Sequence, residues 1–152
     1  MANRGTQKYP EPTVGGLILN TKGELLLVES PKWKRGYTIP GGHVELGETL
    51  VGALHRELKE EVGLKVEEPE LLMIQEAIFS KEFYRKRHFV FFDYICRTKD
   101  PEVRVDGVEI TGFRWVRPRE ALKMKLDAFT RRSVGAVLER VEGKGWPSVR
   151  SF

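Results

Sequence analysis

The most informative part of the sequence runs from Gly42 to Leu64 and reads GHVELGETLVGALHRELKEEVGL. From Thr49 to Val62 the apolar residues recur at the spacing of one helix face, so this half is predicted to be an α-helix. Gly63 follows directly, and glycine commonly ends a helix because it accepts a left-handed backbone. The stretch therefore predicts a glycine-containing loop that leads into one amphipathic helix.

Three acidic residues share one face of this predicted helix. Glu57, Glu60 and Glu61 stand at positions i, i+3 and i+4, which are neighbours on a helix surface. Like charges at this spacing destabilise a helix, and a bound hard cation such as Mg²⁺, which takes oxygen ligands, would reverse that effect. A solvated acidic face is the common alternative explanation of such a pattern.

The segment before the helix favours the cation. Pro40-Gly41-Gly42 provides a backbone that can approach a ligand closely and offer a carbonyl oxygen. Arg56 can reach Glu48 at the start of the helix, and that pairing would hold the loop against the helix. Together these features favour a metal site over a purely solvated acidic face.

Strands and helices are predicted in alternation along the rest of the chain. Strands are expected at 13–20, 24–28, 71–79, 88–96 and 109–116, the first two as a hairpin, with a helical turn from 118 and a helix over about 126–141. The strand from Phe89 to Tyr94 alternates poorly and is predicted to be central and buried on both faces. The expected fold class is α/β or α+β, with helices layered on a sheet.

The composition indicates one soluble globular domain over residues 1–152, with 1–10 as a flexible N-terminal segment. Apolar residues make up 40% of the chain and charged residues 32%, and no apolar run approaches the roughly 18 residues that a membrane helix needs. The polar stretch Met1–Pro12 has no apolar run of the kind found in signal peptides, and the single Cys96 favours a reducing compartment. We therefore expect a cytoplasmic protein without a membrane partner.

The net charge of +4 favours anionic partners in a general way. Lys32, Lys34 and Arg35 flank Trp33 in one predicted loop. Trp33 could stack on a base while Lys34 and Arg35 neutralise phosphates. A solvated basic loop with a packed Trp is the alternative interpretation.

The stretch from Gly42 to Leu64 resembles the Nudix box, Gly-x5-Glu-x7-Arg-Glu-U-x-Glu-Glu-x-Gly-U with U aliphatic, at every specified position. The small size of the chain resembles that of MutT-related members. The resemblance implies a Nudix α/β/α sandwich with a mixed β-sheet between helices. It also implies hydrolysis of a nucleoside diphosphate linked to another moiety, with Mg²⁺ or Mn²⁺ as cofactor.

The resemblance also implies roles for individual residues. Matching positions give metal ligands at Gly41, Glu57, Glu60 and Glu61, and a structural brace at Glu48 and Arg56. A carboxylate near the metal would accept the proton of the attacking water. We expect Glu57 or Glu60 to be that base, with Glu109 as the third candidate.

A further carboxylate is expected from outside the box. Many members of the family supply one from the loop before a late strand that bears a Trp. Here Glu109 precedes Trp115 and is the candidate, with Glu102 and Asp106 as alternatives. A plain surface position is the competing interpretation of Glu109.

The substrate is less defined than the reaction. Relatives that hydrolyse ADP-ribose tend to carry a Pro past the box, where this chain has Phe79-Ser80-Lys81. Dinucleoside polyphosphate hydrolases tend to carry a Tyr in the same place, and Tyr84 lies a few residues after it. By elimination a nucleoside triphosphate, ordinary or oxidised, is favoured, with ADP-ribose or a sugar nucleotide as the alternative. A noncatalytic nucleotide- or RNA-binding module is the competing class, but it has no need of three mutually repelling glutamates. Stable nucleic-acid binding is not expected, and a homodimer is compatible with the family.

Overall fold

The computed structural model describes residues 6–34 and 36–143; Arg35 and both chain ends lie outside the described residues. Seven strands are present in that part of the chain: β1 Glu11–Leu19, β2 Leu25–Glu29, β3 Tyr37–Thr38, β4 Gly41–His43, β5 Glu67–Ile78, β6 His88–Arg97 and β7 Gly112–Val116. The helices there are α1 Leu50–Val62, α2 Pro118–Ala121 and α3 Ala128–Val141. The predicted flexible segment 1–10 falls partly outside the described residues; within it, the Gln7 side chain donates to the His88 carbonyl oxygen at 2.8 Å.

The described strands form one mixed sheet in the order β3-β2-β1-β6-β5, with β4 also paired to β1 and β7 to β2. β1 and β6 run parallel along the whole of β1. The other pairings are antiparallel. The mixed sheet confirms the predicted fold class.

Helices cover both faces of this sheet. Because successive residues of a strand point to opposite faces, the neighbours Leu17 and Ile18 belong to different hydrophobic clusters. The Ile18 cluster contains Leu58 of α1, whereas the Leu17 cluster contains Val134 of α3. Within the described residues, none of the helices has the length and apolar character needed to span a membrane.

Local signals set both ends of α1. The Thr49 side chain accepts a hydrogen bond from the Gly52 N–H, which satisfies a free donor of the first turn. Gly63 has a φ of 68°, a left-handed conformation in which its N–H bonds back to the last turn. The helix therefore presents its carboxylate face in a fixed register toward the loop that contains β4.

The Phe-rich strand differs in part from its prediction. β6 is a central strand, because it lies between β1 and β5. Its second half, Asp93 to Cys96, is buried, but Phe89 and Phe91 in the first half are only partly buried. The expectation of burial on both faces is wrong there, because these rings line a cavity.

Candidate metal centre

Three carboxylates meet at the end of the sheet next to α1. One oxygen each of Glu57, Glu61 and Glu109 lies within 4.8 Å of the others. Glu57 and Glu61 stand one turn apart on α1 and are 9% and 4% exposed, and Glu109 comes from the loop before β7. Acidic oxygens so close together fit a hard divalent cation, because such ions take oxygen ligands.

The acidity of this cluster reflects its crowding. Burial, followed by the charges of Glu57 and Glu109, raises the pKa of Glu61 to about 9. Burial is also the main cause that raises the pKa of Glu57, and the adjacent Arg56 opposes it. Buried like charges favour protonation, and a bound cation would favour ionisation of the same groups.

The glycines before the helix let the backbone approach these carboxylates. The Gly41 N–H donates to Oε1 of Glu61 at 3.0 Å. A Cβ on Gly42 would lie 2.4 Å from Cδ of Glu57, so any side chain there would displace the carboxylate. Gly41 thus contacts the cluster through its N–H, and the role of its carbonyl oxygen as a ligand stays a prediction.

Arg56 links the loop to the helix. Its Nε and Nη2 donate to the two carboxylate oxygens of Glu48 at 2.7 and 2.8 Å, and Nη2 also donates to the His43 carbonyl oxygen at 3.0 Å. The guanidinium lowers the pKa of Glu48 to about 2. Nη1 donates to Glu57 at 2.9 Å, so the same side chain holds the loop and orients a cluster carboxylate.

Glu60 lies apart from the cluster in this structure. Its side chain is 60% exposed, and one oxygen accepts from Nη1 of Arg56 at 3.3 Å. Its roles as metal ligand and base therefore stay predictions.

Of the three carboxylates considered outside the box, Glu109 is the one brought to the cluster. Oδ1 of Asp106 accepts the N–H groups of Val108, Glu109 and Ile110, so Asp106 shapes the loop. Glu102 is exposed and lies 3.6 Å from Arg104. This loop is also why β7 begins at Gly112 rather than at the predicted 109.

An aromatic cavity of about 120 Å³ lies beside the cluster, and its wall includes Gly41, Gly42 and Lys32. Lys32 also faces the cluster, with Nζ 3.5 Å from Oε2 of Glu109. The rings of Trp33 and Phe83 lie 4.1 Å apart between centroids in the same wall. The cavity and the acidic cluster therefore share one border.

Of the three residues predicted to bind substrate, Trp33, Lys34 and Arg35, the structure places Trp33 at the cavity. Trp33 lines the cavity, as the stacking hypothesis requires. Lys34 lies with Nζ 5.8 Å from the ring centroid of Tyr84, and Arg35 is outside the described residues. Sequence analysis missed Asp93, although its two-residue spacing from Phe91 in β6 was a signal that both side chains share one face.

The protein has helices on both faces of a mixed sheet, so its architecture is α/β/α. Buried carboxylates that lie against a glycine loop give it a candidate divalent-cation centre. The model of the NUDIX domain matches residues 9–137, and the chain belongs to the NUDIX family. The match confirms the family resemblance found in the box.

Individual relatives agree with the family assignment. The chain is 38% identical over 113 residues to NAD-capped RNA hydrolase NudC of Stutzerimonas stutzeri, covering 73% of this chain and 38% of the relative. It is 31% identical over 117 residues to Phosphatase NudJ of Shigella boydii, covering 75% and 72%. The structure of a MutT NUDIX hydrolase from Burkholderia pseudomallei has a TM-score of 0.68 at 25% identity, covering 86% of this chain and 99% of that one. The chain spans less than half the length of the NudC relative.

Proposed function

We propose that the protein is a divalent-cation-dependent hydrolase that cleaves the pyrophosphate linkage of a nucleoside diphosphate joined to another group. The observation that carries this proposal is the approach of the Glu57, Glu61 and Glu109 carboxylates to within 4.8 Å beside an aromatic cavity. A nucleoside triphosphate, ordinary or oxidised, is the proposed substrate, and Mg²⁺ or Mn²⁺ is the proposed cofactor. The aromatic wall suits a base, and the acidic cluster at its border suits a phosphate-bound cation.

The carboxylates of Glu57, Glu61 and Glu109 would hold the cation, with the Gly41 carbonyl as a proposed backbone ligand. A divalent cation there would neutralise phosphate oxygens and lower the pKa of water. Lys32, which now pairs with Glu109, adds a positive charge at the border of the cavity where phosphates would enter.

The proton of the attacking water requires an acceptor at the cluster. Glu57 and Glu109 are already there, so they can act without rearrangement. Glu60, which the sequence also favoured as the base, lies outside the cluster in this structure and contacts Arg56. Arg56 itself is a positioning residue, because it holds Glu57 in place through a hydrogen bond of 2.9 Å.

A second group of substrates is favoured by one relative. NudC is named as a hydrolase of NAD-capped RNA, and the chain is 38% identical to it over 113 residues. This similarity favours substrates in which a pyrophosphate joins a nucleoside to a second group, as in ADP-ribose or a sugar nucleotide. The homodimer, the cytoplasmic location and the absence of stable nucleic-acid binding stay predictions.

A release assay tests the proposal. Purified protein would be given Mg²⁺ and, separately, nucleoside triphosphates, their oxidised forms, ADP-ribose, sugar nucleotides and dinucleoside polyphosphates, and the products identified to locate the cleaved bond. Glu61→Gln should abolish turnover. Glu120→Gln is the control and should not abolish it, because Glu120 is an exposed carboxylate of α2 that pairs with Lys123. Nucleotide binding without any turnover would overturn the hydrolase and leave the noncatalytic module.

A further inference from the structure

The cavity beside the acidic cluster has a polar floor within its aromatic walls. Phe91 and Asp93 follow each other at two-residue spacing in β6, so both side chains point to the same face. The parallel neighbour β1 places Thr13 opposite Phe91 and Gly15 opposite Asp93. All four residues line the cavity, and Asp93 is the acidic side chain among the described residues of its lining.

Asp93 uses only one of its carboxylate oxygens for internal hydrogen bonds. Oδ2 accepts from Nε2 of Gln75 at 2.9 Å and from Oγ of Ser133 at 2.7 Å. Oδ1 accepts no side-chain hydrogen bond from the described residues, although the residue is only 4% exposed. Because Asp93 lines the cavity, this oxygen can accept a hydrogen bond from a ligand there.

Gly15 lets the Asp93 carboxylate approach the backbone of β1. A Cβ at Gly15 would lie 3.0 Å from Oδ1 of Asp93 and 2.8 Å from Cδ1 of Ile39. A side chain at this position would therefore displace Asp93 or Ile39 in the wall of the cavity.

The neighbouring hydroxyl groups already donate hydrogen bonds within the protein. The Thr130 hydroxyl donates to Oδ2 of Asp127 at 2.6 Å, and the Thr38 hydroxyl is then the donor in its 3.0 Å contact with Thr130. The Ser133 hydroxyl donates to Asp93. The floor thus offers a ligand an anionic acceptor, with the hydroxyl of Thr13, which has no partner among the described residues, nearby in the lining.

We propose that this cavity binds a nucleobase that carries an exocyclic amino group, and that the amino group donates to Oδ1 of Asp93. The inference rests on the proposed function and deepens it by naming the substrate class. The ring would lie among Trp33, Phe83 and Phe91, whose faces accept any base. Selection then depends on Asp93, because a base with a carbonyl at the same position would direct lone pairs at a carboxylate. Although burial raises the pKa of Asp93 to about 6, the carboxylate is mostly ionised at neutral pH.

Matched pairs of nucleotides test this selection. We would measure kcat/KM for CTP against UTP, ATP against ITP and GTP against ITP, which compare an amino-bearing base with one lacking that group. A hydrogen bond to a charged acceptor predicts a preference of about tenfold or more for the amino member of at least one pair. Ratios near one in all three pairs, with turnover present, would overturn the inference and leave the hydrolase standing.

The Asp93→Asn variant distinguishes a role of Asp93 in base selection from a role only in supporting the fold. Gln75 and Ser133 both donate to one oxygen, so the Asn carbonyl must take that place and its NH₂ must replace Oδ1. For CTP against UTP and for ATP against ITP, the preference should then reverse toward the carbonyl-bearing base. For GTP against ITP, which has a hydrogen in place of the amino group, the preference for GTP should disappear. Equal losses for both members would mean that Asp93 only supports the fold.

A second variant tests the inference if Asp93→Asn does not fold, and a binding measurement tests it if the protein shows no turnover. Gly15→Ala, which places a methyl against Oδ1 of Asp93, should reduce the preference by about tenfold if Asp93→Asn does not fold. Calorimetric binding of CMP, UMP, AMP, GMP and IMP gives the same comparison without turnover. Selective binding by a protein that hydrolyses none of the triphosphates would refute the proposed reaction and support the base selection; unselective binding would refute the selection.

Discussion

Replacing Asp93 by Asn is expected to remove a specific part of the pH dependence of stability. In the unfolded chain the carboxyl group has its ordinary pKa of 3.8, whereas in the folded protein burial raises the pKa to about 6. The hydrogen bonds from Ser133 and Gln75 oppose this rise, and the charge of Asp127 adds to it. Between the two values the folded state keeps a proton that the unfolded state has released, so stability falls as pH rises.

The difference between 3.8 and about 6 sets the size of the effect. At about 1.4 kcal/mol per pKa unit, the folded protein should lose about 3 kcal/mol of unfolding free energy because of Asp93. The full stability is present below the unfolded pKa, and the loss is complete above the folded pKa. Asn does not ionise in this range, so the variant should not show this loss.

Urea denaturation followed by fluorescence would measure the effect. The wild type and Asp93→Asn would be compared between about pH 4 and pH 7.5 in a chelating buffer, so that metal binding does not add its own linkage. Because the unfolded chain is already partly ionised at pH 4, the difference in unfolding free energy should shift by about 2 kcal/mol over this range, in favour of the variant as pH rises. Asp100→Asn, on an exposed residue, is the control. A difference that stays constant with pH would refute the reasoning.

Three further predictions concern the metal centre. Glu61→Gln removes a proposed cation ligand, so the rise in Tm that Mg²⁺ gives the wild type in calorimetry should disappear; an unchanged rise would place the cation elsewhere. Gly42→Ala puts a Cβ 2.4 Å from Cδ of Glu57, and the displaced carboxylate should lower kcat about 10- to 100-fold in the release assay; normal turnover would contradict the tight approach. Arg56→Met removes the paired hydrogen bonds to Glu48 and should lower the urea midpoint of unfolding, whereas an unchanged midpoint would mean that the brace does not stabilise the fold.

The elements predicted best from sequence are those set by local signals. α1 begins after Thr49 and ends before Gly63 because a side-chain cap and a left-handed glycine act within one turn. The helical spacing of Glu57 and Glu61 likewise places both on one face. The same spacing places Glu60 beside them, but it does not indicate that the Glu60 side chain is exposed and pairs with Arg56.

The rest of the site depends on contacts between distant segments. Glu109 reaches the cluster from the loop that Asp106 shapes; the sequence named Glu109 as the candidate but kept Asp106 as an alternative. The short strands β3 and β4 exist through their pairing with β2 and β1, so no local pattern predicts them. Ser133 of α3 donates a hydrogen bond to Asp93 of β6, and neither segment alone indicates that contact.

Gly15 connects the two halves of the site. In β1 it pairs on one side with Gly41 of β4, which contacts Glu61, and on the other side with Asp93 of β6. A substrate with its base at Asp93 would therefore have to cross a single strand to bring its phosphates to the carboxylate cluster. Gly15 and Gly41 carry no side chains. A Cβ at Gly15 would contact Oδ1 of Asp93, and a Cβ at Gly41 would clash with the Val14 carbonyl oxygen of β1. Substitution of Gly15 should thus change base preference and phosphate placement together, whereas Asp93→Asn should change base preference alone.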